Sequence, residues 1–365
     1  MKVTIWRAST AMASAIQGAA QRHDLRDHLF AQLEVDGVRG WGEISPQPYG
    51  LNGDPSVDAV IDAIRDEVVP RLSRYTDATS RGSEWSRVHQ FAGPRSASVV
   101  AWSLLEMALL DVHLRLNARA LPDLWPGRYE PRTMTTVSLL ADFPPAISPD
   151  VERLRVKVRP GIRPSARLAQ IRDLGRPVIA DYNCSATGVD EVLRDLEVLS
   201  SALVVVAVEQ PFAPGNLVDH AALHAHDDVT VSLDEGVRSI MDLRYIARYG
   251  AASLVCIKPA RVGGLALARS MIEEARRLGL RPYVGGFFES PLARTVHRQL
   301  ASAFVDEPSD VAPVVFDAPR VGGMPAAGGL GWRPEFRPPD ELLTDVETEG
   351  LYTASRGDSP RSTTP

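Results

Sequence analysis

Acidic residues close three successive apolar runs in the middle of the chain. They are Asp181 after RPVIA, Glu209 after LVVVAV and Asp234 after VSL, spaced 28 and 25 residues apart. If these runs are parallel strands, their C-terminal ends share one face and the three carboxylates meet there. Buried together they repel one another and lose hydration unless a cation neutralises them. An all-oxygen set suits Mg²⁺, or Mn²⁺ as a substitute, better than zinc. A helix N-cap at each turn is the plainer use of such a residue, but three in consecutive units favour the metal. Lys157 ends the run before this set and Lys258 ends the run after it. In RLRVKVR, strand alternation places Arg155 and Lys157 on one face, where neighbouring cations depress a lysine pKa. A lysine tuned in this way is a general base; a solvated strand-end charge is the simpler role for either lysine alone.

The elements that would hold these residues follow a clear rhythm. From about residue 133, short runs rich in Val and Ile recur at 133–140, 153–158, 176–183, 203–211, 228–235, 253–259 and 281–287. Amphipathic stretches such as GVDEVLRDLEVL and LALARSMIEEARRLG lie between them. That alternation means βαβ units and a parallel sheet, and its length suits a closed α/β barrel. Ahead of it, strands at 2–9, 29–36 and 38–45 suggest a small antiparallel sheet. Two helices follow, one opening after Ser56 as N-cap and one, SASVVAWSLLEMALLDVHLRLN, apolar around most of its circumference and so buried. The implied division is an α+β domain over 1–130, a barrel over 131–320, a returning segment over 321–345 and a polar, disordered tail over 346–365.

Composition narrows the field. The 365 residues are 44% hydrophobic, enough for a barrel plus an accessory domain, and the net charge is −6. No Lys/Arg cluster tracks phosphates, so nucleic acid is not an expected partner. No continuous apolar run of membrane-spanning length or secretory leader is apparent, so a cytoplasmic protein with no membrane partner is expected. Cys184 and Cys256 read as buried thiols.

The motifs GWGE (40–43), RVKVRPG (155–161), DYN (181–183), VEQP (208–211), LDE (233–235), IKPARVGG (257–264) and GGFFES (285–290) follow one another at βα spacing. Together they resemble the enolase superfamily, in particular the muconate lactonizing subgroup with its o-succinylbenzoate synthases and N-acylamino acid racemases. The resemblance implies a modified (β/α)7β TIM-type barrel under an α+β capping domain. It implies Mg²⁺ on Asp181, Glu209 and Asp234, with Lys157 as the base on one face of a small carboxylate substrate and Lys258 on the other. Asn183 and Glu235 would orient the ligands by hydrogen bonds. Gly285 and Gly286 would let backbone approach the substrate, Ser138 would point at the same mouth, and Glu289 would serve either the substrate or a helix cap. One departure stands out: Arg155 occupies the first position of the family's Lys-x-Lys, and it carries charge but cannot transfer a proton. The implied chemistry is removal of a proton α to a carboxylate. Dehydration of the o-succinylbenzoate synthase type leads, with racemisation of N-acylamino acids or muconate-type cycloisomerisation as alternatives. Homo-oligomers are common in such barrels.

Overall fold

The computed structural model describes residues 1–18, 22–71, 96–127, 130–140, 147–314, 316–317, 321–336 and 349–355. β1 (Lys2–Gln17), β2 (Arg22–Val35) and β3 (Val38–Ile44) form the antiparallel sheet expected from their alternation, turning between β2 and β3 at Asp36 and Gly37, both in the left-handed region. Ser56 caps α1 (Val57–Ala63) by accepting from the Ala59 N–H at 3.2 Å. α2 (Ser96–Leu116) then lies directly across β3. Gly40 and Gly42 make that possible, because a Cβ on either would collide with the α2 backbone at Val112 or Leu104.

By length and composition α2 could cross a membrane, which corrects the reading that the chain has no such run. Here it is the central helix of the capping domain, with 83% of its apolar window buried. Short α3 (Leu121–Leu124) leads into the barrel.

The barrel strands are β4 (Thr133–Ser138), β5 (Val151–Lys157), β6 (Val178–Asp181), β7 (Val205–Glu209), β8 (Val231–Leu233), β9 (Leu254–Ile257) and β10 (Arg281–Val284). They pair in sequence order, all parallel. The helices between them are α4 (Ala166–Asp173), α5 (Val189–Ala202), α6 (Leu217–His224), α7 (Ile240–Tyr249), α8 (Pro259–Val262) and α9 (Leu265–Arg277), and α10 (Pro291–Phe304) follows β10. Ser309 and Asp310 close the ring. Ser309 bridges Thr133 of the first strand, and the Asp310 N–H donates to Val284 O of the last at 2.9 Å. This segment stands in for an eighth strand, giving the modified barrel.

Beyond it, β11 (Phe316–Asp317) pairs with β1, and β12 (Val321–Pro325) forms a hairpin with β13 (Trp332–Phe336). That hairpin touches the capping helix, where Leu330 N–H donates to Asp111 at 2.8 Å. The disordered tail expected from 346 needs correction over β14 (Glu349–Ser355), which pairs antiparallel with Lys2–Arg7 of β1. Backbone groups along an open strand edge attract a partner whatever the polarity of its side chains. Residues 337–348 and 356–365 lie outside the described residues.

Candidate active site

Strand register alone aligns most of the chemistry. Ser138 at the end of β4 sits opposite Lys157, Lys157 opposite Asp181, and Asp181 opposite Glu209. Asp234 and Lys258 each follow their strands, β8 and β9, by one residue. Arg155 lies two residues back along β5, on the same face one level deeper, and pairs with Thr136 and Ile179.

The side chains form a dense ionic network. Lys157 Nζ donates to Asp181 Oδ2 at 2.5 Å, and Lys258 Nζ donates to Asp234 Oδ2 at 2.8 Å. Arg261 holds the other oxygen of Asp234 at 2.5 Å and reaches Asp54 of the capping domain at 2.8 Å. Glu209 takes a bond from Arg155 at 3.1 Å and one from the Tyr283 hydroxyl at 2.6 Å. Arg155 also bonds Thr136 and Asp310. Its charge is therefore shared among several acids rather than left bare beside Lys157.

Tight turns after the strands fix the remaining groups. Asn183, Cys184 and Gln210 all adopt positive φ. Asn183 N–H donates to Asp181 at 2.9 Å, its amide donates to Glu235 at 3.3 Å, and Gln210 accepts from the Asp234 and Gly236 N–H groups at 3.0 Å.

Electrostatics show a surplus of negative charge. Burial, reinforced by Asp181, pushes Glu209 up to about 8. Burial and Asp234 likewise raise Glu235, whose Oε2 is buried with no hydrogen-bond partner among the described residues. Asp234 moves the other way: burial opposes ionisation, but Arg261 and Lys258 hold it well below the usual carboxylate range. Burial would lower Lys258, yet its pairing with Asp234 leaves it above the ordinary lysine value.

Among the described residues no three acidic, histidine or cysteine side chains already converge on one centre, because each carboxylate is turned to a protein cation. The donor set nevertheless suits a hard divalent ion. It is all oxygen, mutually repulsive, and adjoined by an orphaned carboxylate oxygen that a cation would relieve.

One cavity collects seven of the expected residues: Arg155, Lys157, Asn183, Asp234, Glu235, Lys258 and Gly286. Asp181 and Glu209 are fully buried among these groups. Ser138 is in the row, but its hydroxyl donates to Gln17 O at 2.5 Å and so ties the capping strand to the barrel. Glu289 accepts from Phe287 N–H at 2.6 Å and lies 3.3 Å from Arg294, a structural use rather than an exposed one. Gly285 packs on Cys256 and the Lys258 stem.

Sequence reading missed Tyr283, Arg261, Asp54, Phe287 and Asp310. It also missed a compositional signal. The chain has only three lysines, Lys2, Lys157 and Lys258, among its 40 basic residues. Two of those three lysines, Lys157 and Lys258, face one cavity, in a chain whose other cations are nearly all arginine.

Residues 151–318 match the family described as Enolase C-terminal domain-like. The o-succinylbenzoate synthase of Bacillus subtilis (strain 168) is 23% identical over 82% of this chain and 81% of its own length. The N-succinylamino acid racemase of an Amycolatopsis species is 26% identical over 91% of this chain and 93% of its own. Among solved structures, the muconate lactonizing enzyme of Pseudomonas fluorescens complexed with muconolactone superposes with a TM-score of 0.74 at 19% identity, covering 91% of this chain and 96% of that one. The superfamily implies use of a divalent metal. The chain is an enzyme that resembles the enolase superfamily over its barrel, residues 151–318, and its relatives over most of its length are a synthase and a racemase.

Proposed function

We propose that this enzyme removes the proton α to the carboxylate of a small substrate, with Lys157 as base and Lys258 facing the same bound molecule from across the cavity. The observation that carries this reading is the placement of both lysines on one cavity, each ion-paired to a different carboxylate of the strand-end set. Asp181, Glu209 and Asp234 would hold Mg²⁺, with Mn²⁺ as a substitute. When bound, that ion takes up the negative charge that grows on the substrate carboxylate as its α-proton leaves.

The protein's own groups do the rest. Arg155 and Tyr283 fix Glu209, Asn183 fixes Asp181, and Arg261 fixes Asp234, so the three carboxylates are held at the strand ends with little freedom. Lys157 accepts the proton at Nζ in its neutral form, after the ammonium that pairs with Asp181 has released a proton to solvent. Lys258 supplies a fixed positive charge opposite. Asn52 and Leu51 of the capping domain line the cavity beside these groups.

Loss of a β-hydroxyl, as in an o-succinylbenzoate synthase, is the leading outcome. Reprotonation by Lys258 gives racemisation of an N-acylamino acid, and this second reading is favoured by the position of Lys258 across from Lys157. Incubation in D₂O separates them: a β-hydroxycyclohexadiene carboxylate loses water, whereas an N-acylamino acid gains deuterium at Cα with no other change. Full turnover after thorough chelation would refute the metal-assisted scheme. A cytoplasmic location accords with this metabolic role.

A further inference from the structure

The two cavity lysines are held in different ways. Lys157 Nζ has its ion pair with Asp181 at 2.5 Å. Lys258 runs through a sleeve. Its stem passes the bare backbone of Gly285, where a Cβ would come within 3.1 Å of both Lys258 Cγ and Cε. Its Nζ bonds Asp234 at 2.8 Å and lies 4.6 Å from the centre of the Phe287 ring. The Arg261 guanidinium stands 5.2 Å from the same ring.

Phe287 does not belong to the barrel's apolar core. With Ala260 it joins the cluster built from Val57, Val60, Val100 and Trp102 of the capping domain. Its N–H is fixed by Glu289 at 2.6 Å, and it is 7% exposed. The ring therefore has a foot in the capping core and a face beside a barrel lysine. Arg261, the residue after Ala260 in the same short helix, meets Asp54 of the capping domain at 2.8 Å.

We infer that Phe287 is a positioning residue through which the capping domain holds the Lys258 ammonium at the cavity, while Lys157 is held by its ion pair with Asp181 of the barrel. A cation beside an aromatic face gains from the ring quadrupole, and losing that contact is worth roughly 3- to 30-fold in an equilibrium. Phe287→Leu keeps the apolar packing and removes the ring; Phe287→Tyr restores the ring. The consequence for proton transfer rests on the function proposed above, but the hold on Lys258 does not.

Because the chain has only three lysines, reductive methylation followed by peptide mass spectrometry reads each amine separately. In the intact Mg²⁺-supplemented protein, Phe287→Leu is expected to raise Lys258 labelling roughly 3- to 30-fold. Lys157 should stay within about twofold, and Phe287→Tyr should return Lys258 to the parent rate. Unchanged Lys258 labelling, a parallel rise at both lysines, or failure of Tyr to restore protection overturns the inference. A second arm follows α-proton exchange of N-acetyl-L- and N-acetyl-D-phenylalanine in D₂O. Selective slowing of one enantiomer supports the inference, and equal slowing of both contradicts it. Absence of exchange from either enantiomer in the parent enzyme counts against the racemase reading, and lysine labelling still decides the role of Phe287.

Discussion

At the scale of single residues, the site is a set of carboxylates whose partners decide their behaviour. Asp181, Glu209 and Asp234 were legible in the sequence because each closes a recognisable strand. Their partners were not, since Tyr283 reaches Glu209 from β10 and Arg261 reaches Asp234 from the helix after β9, leaving no local pattern. Arg155 illustrates the difference. Strand alternation placed it beside Lys157, but only the structure shows that its charge is shared among Glu209, Asp181 and Asp310. Tyr283 holds one Glu209 oxygen at 2.6 Å, and partners of this kind typically affect metal affinity by about 10- to 100-fold. Phe at position 283 should therefore weaken Mg²⁺ binding by at least about tenfold in calorimetry, without loss of thermal stability. Unchanged affinity would mean that Glu209 is not a ligand or that its hydrogen bond does not orient it.

At the scale of elements, two capping-domain carboxylates sit on the N-termini of barrel helices. Glu43, from the GWGE motif, accepts from Ser290 N–H at 2.6 Å and Ala293 N–H at 3.0 Å at the start of α10. Glu106 of α2 accepts from Leu265 and Ala266 N–H groups at 2.7 and 2.9 Å at the start of α9. Helix N-termini carry unpaired N–H groups and positive field, so each carboxylate both satisfies donors and joins the domains. Glu43→Ala strands several buried donors and should cost about 2–4 kcal/mol in denaturant unfolding. Glu106 has a distinct pH signature, because burial raises its carboxyl from 4.5 to about 7 despite those two N–H bonds. The folded state thus keeps a proton that the unfolded chain releases. Its stabilising contribution is complete below about 4.5 and disappears as pH rises through about 7, amounting to about 3 kcal/mol. The thermal midpoint should fall between pH 5 and pH 8, and Glu106→Gln should flatten that fall. An identical slope in the variant would show that another group carries it. Neither docking contact could be read from sequence, since each joins residues more than 150 positions apart.

On the whole-molecule scale, the barrel's order of strands was predictable from its repeated βα rhythm, and its closure was not. Ser309 and Asp310 form too short a segment to register as a strand, yet their backbone bonds complete the ring. The tail strand at 349–355 escaped for a related reason: pairing along β1 depends on an available edge rather than on apolar alternation. Capping domain and barrel meet at the cavity through Asp54, Asn52 and Phe287, so a metal bound among the strand ends should also stabilise the closed pair of domains. Ligand linkage predicts a gain of about 2.7 kcal/mol at a hundredfold excess over the dissociation constant. Chelation should accordingly lower the unfolding midpoint and restored Mg²⁺ should recover it; an unmoved midpoint would argue against a site in this fold.

The central claim is that Lys157 removes an α-proton, and an arginine at that position tests it most directly. Lys157→Arg preserves the positive charge facing Asp181 and removes the amine that can exchange a proton. With Mg²⁺ present, α-deuterium incorporation from D₂O into an N-acylamino acid carboxylate, followed by mass spectrometry, is expected to fall by at least about 100-fold relative to the parent enzyme. Incorporation at the parent rate in a folded Lys157→Arg protein would contradict the account.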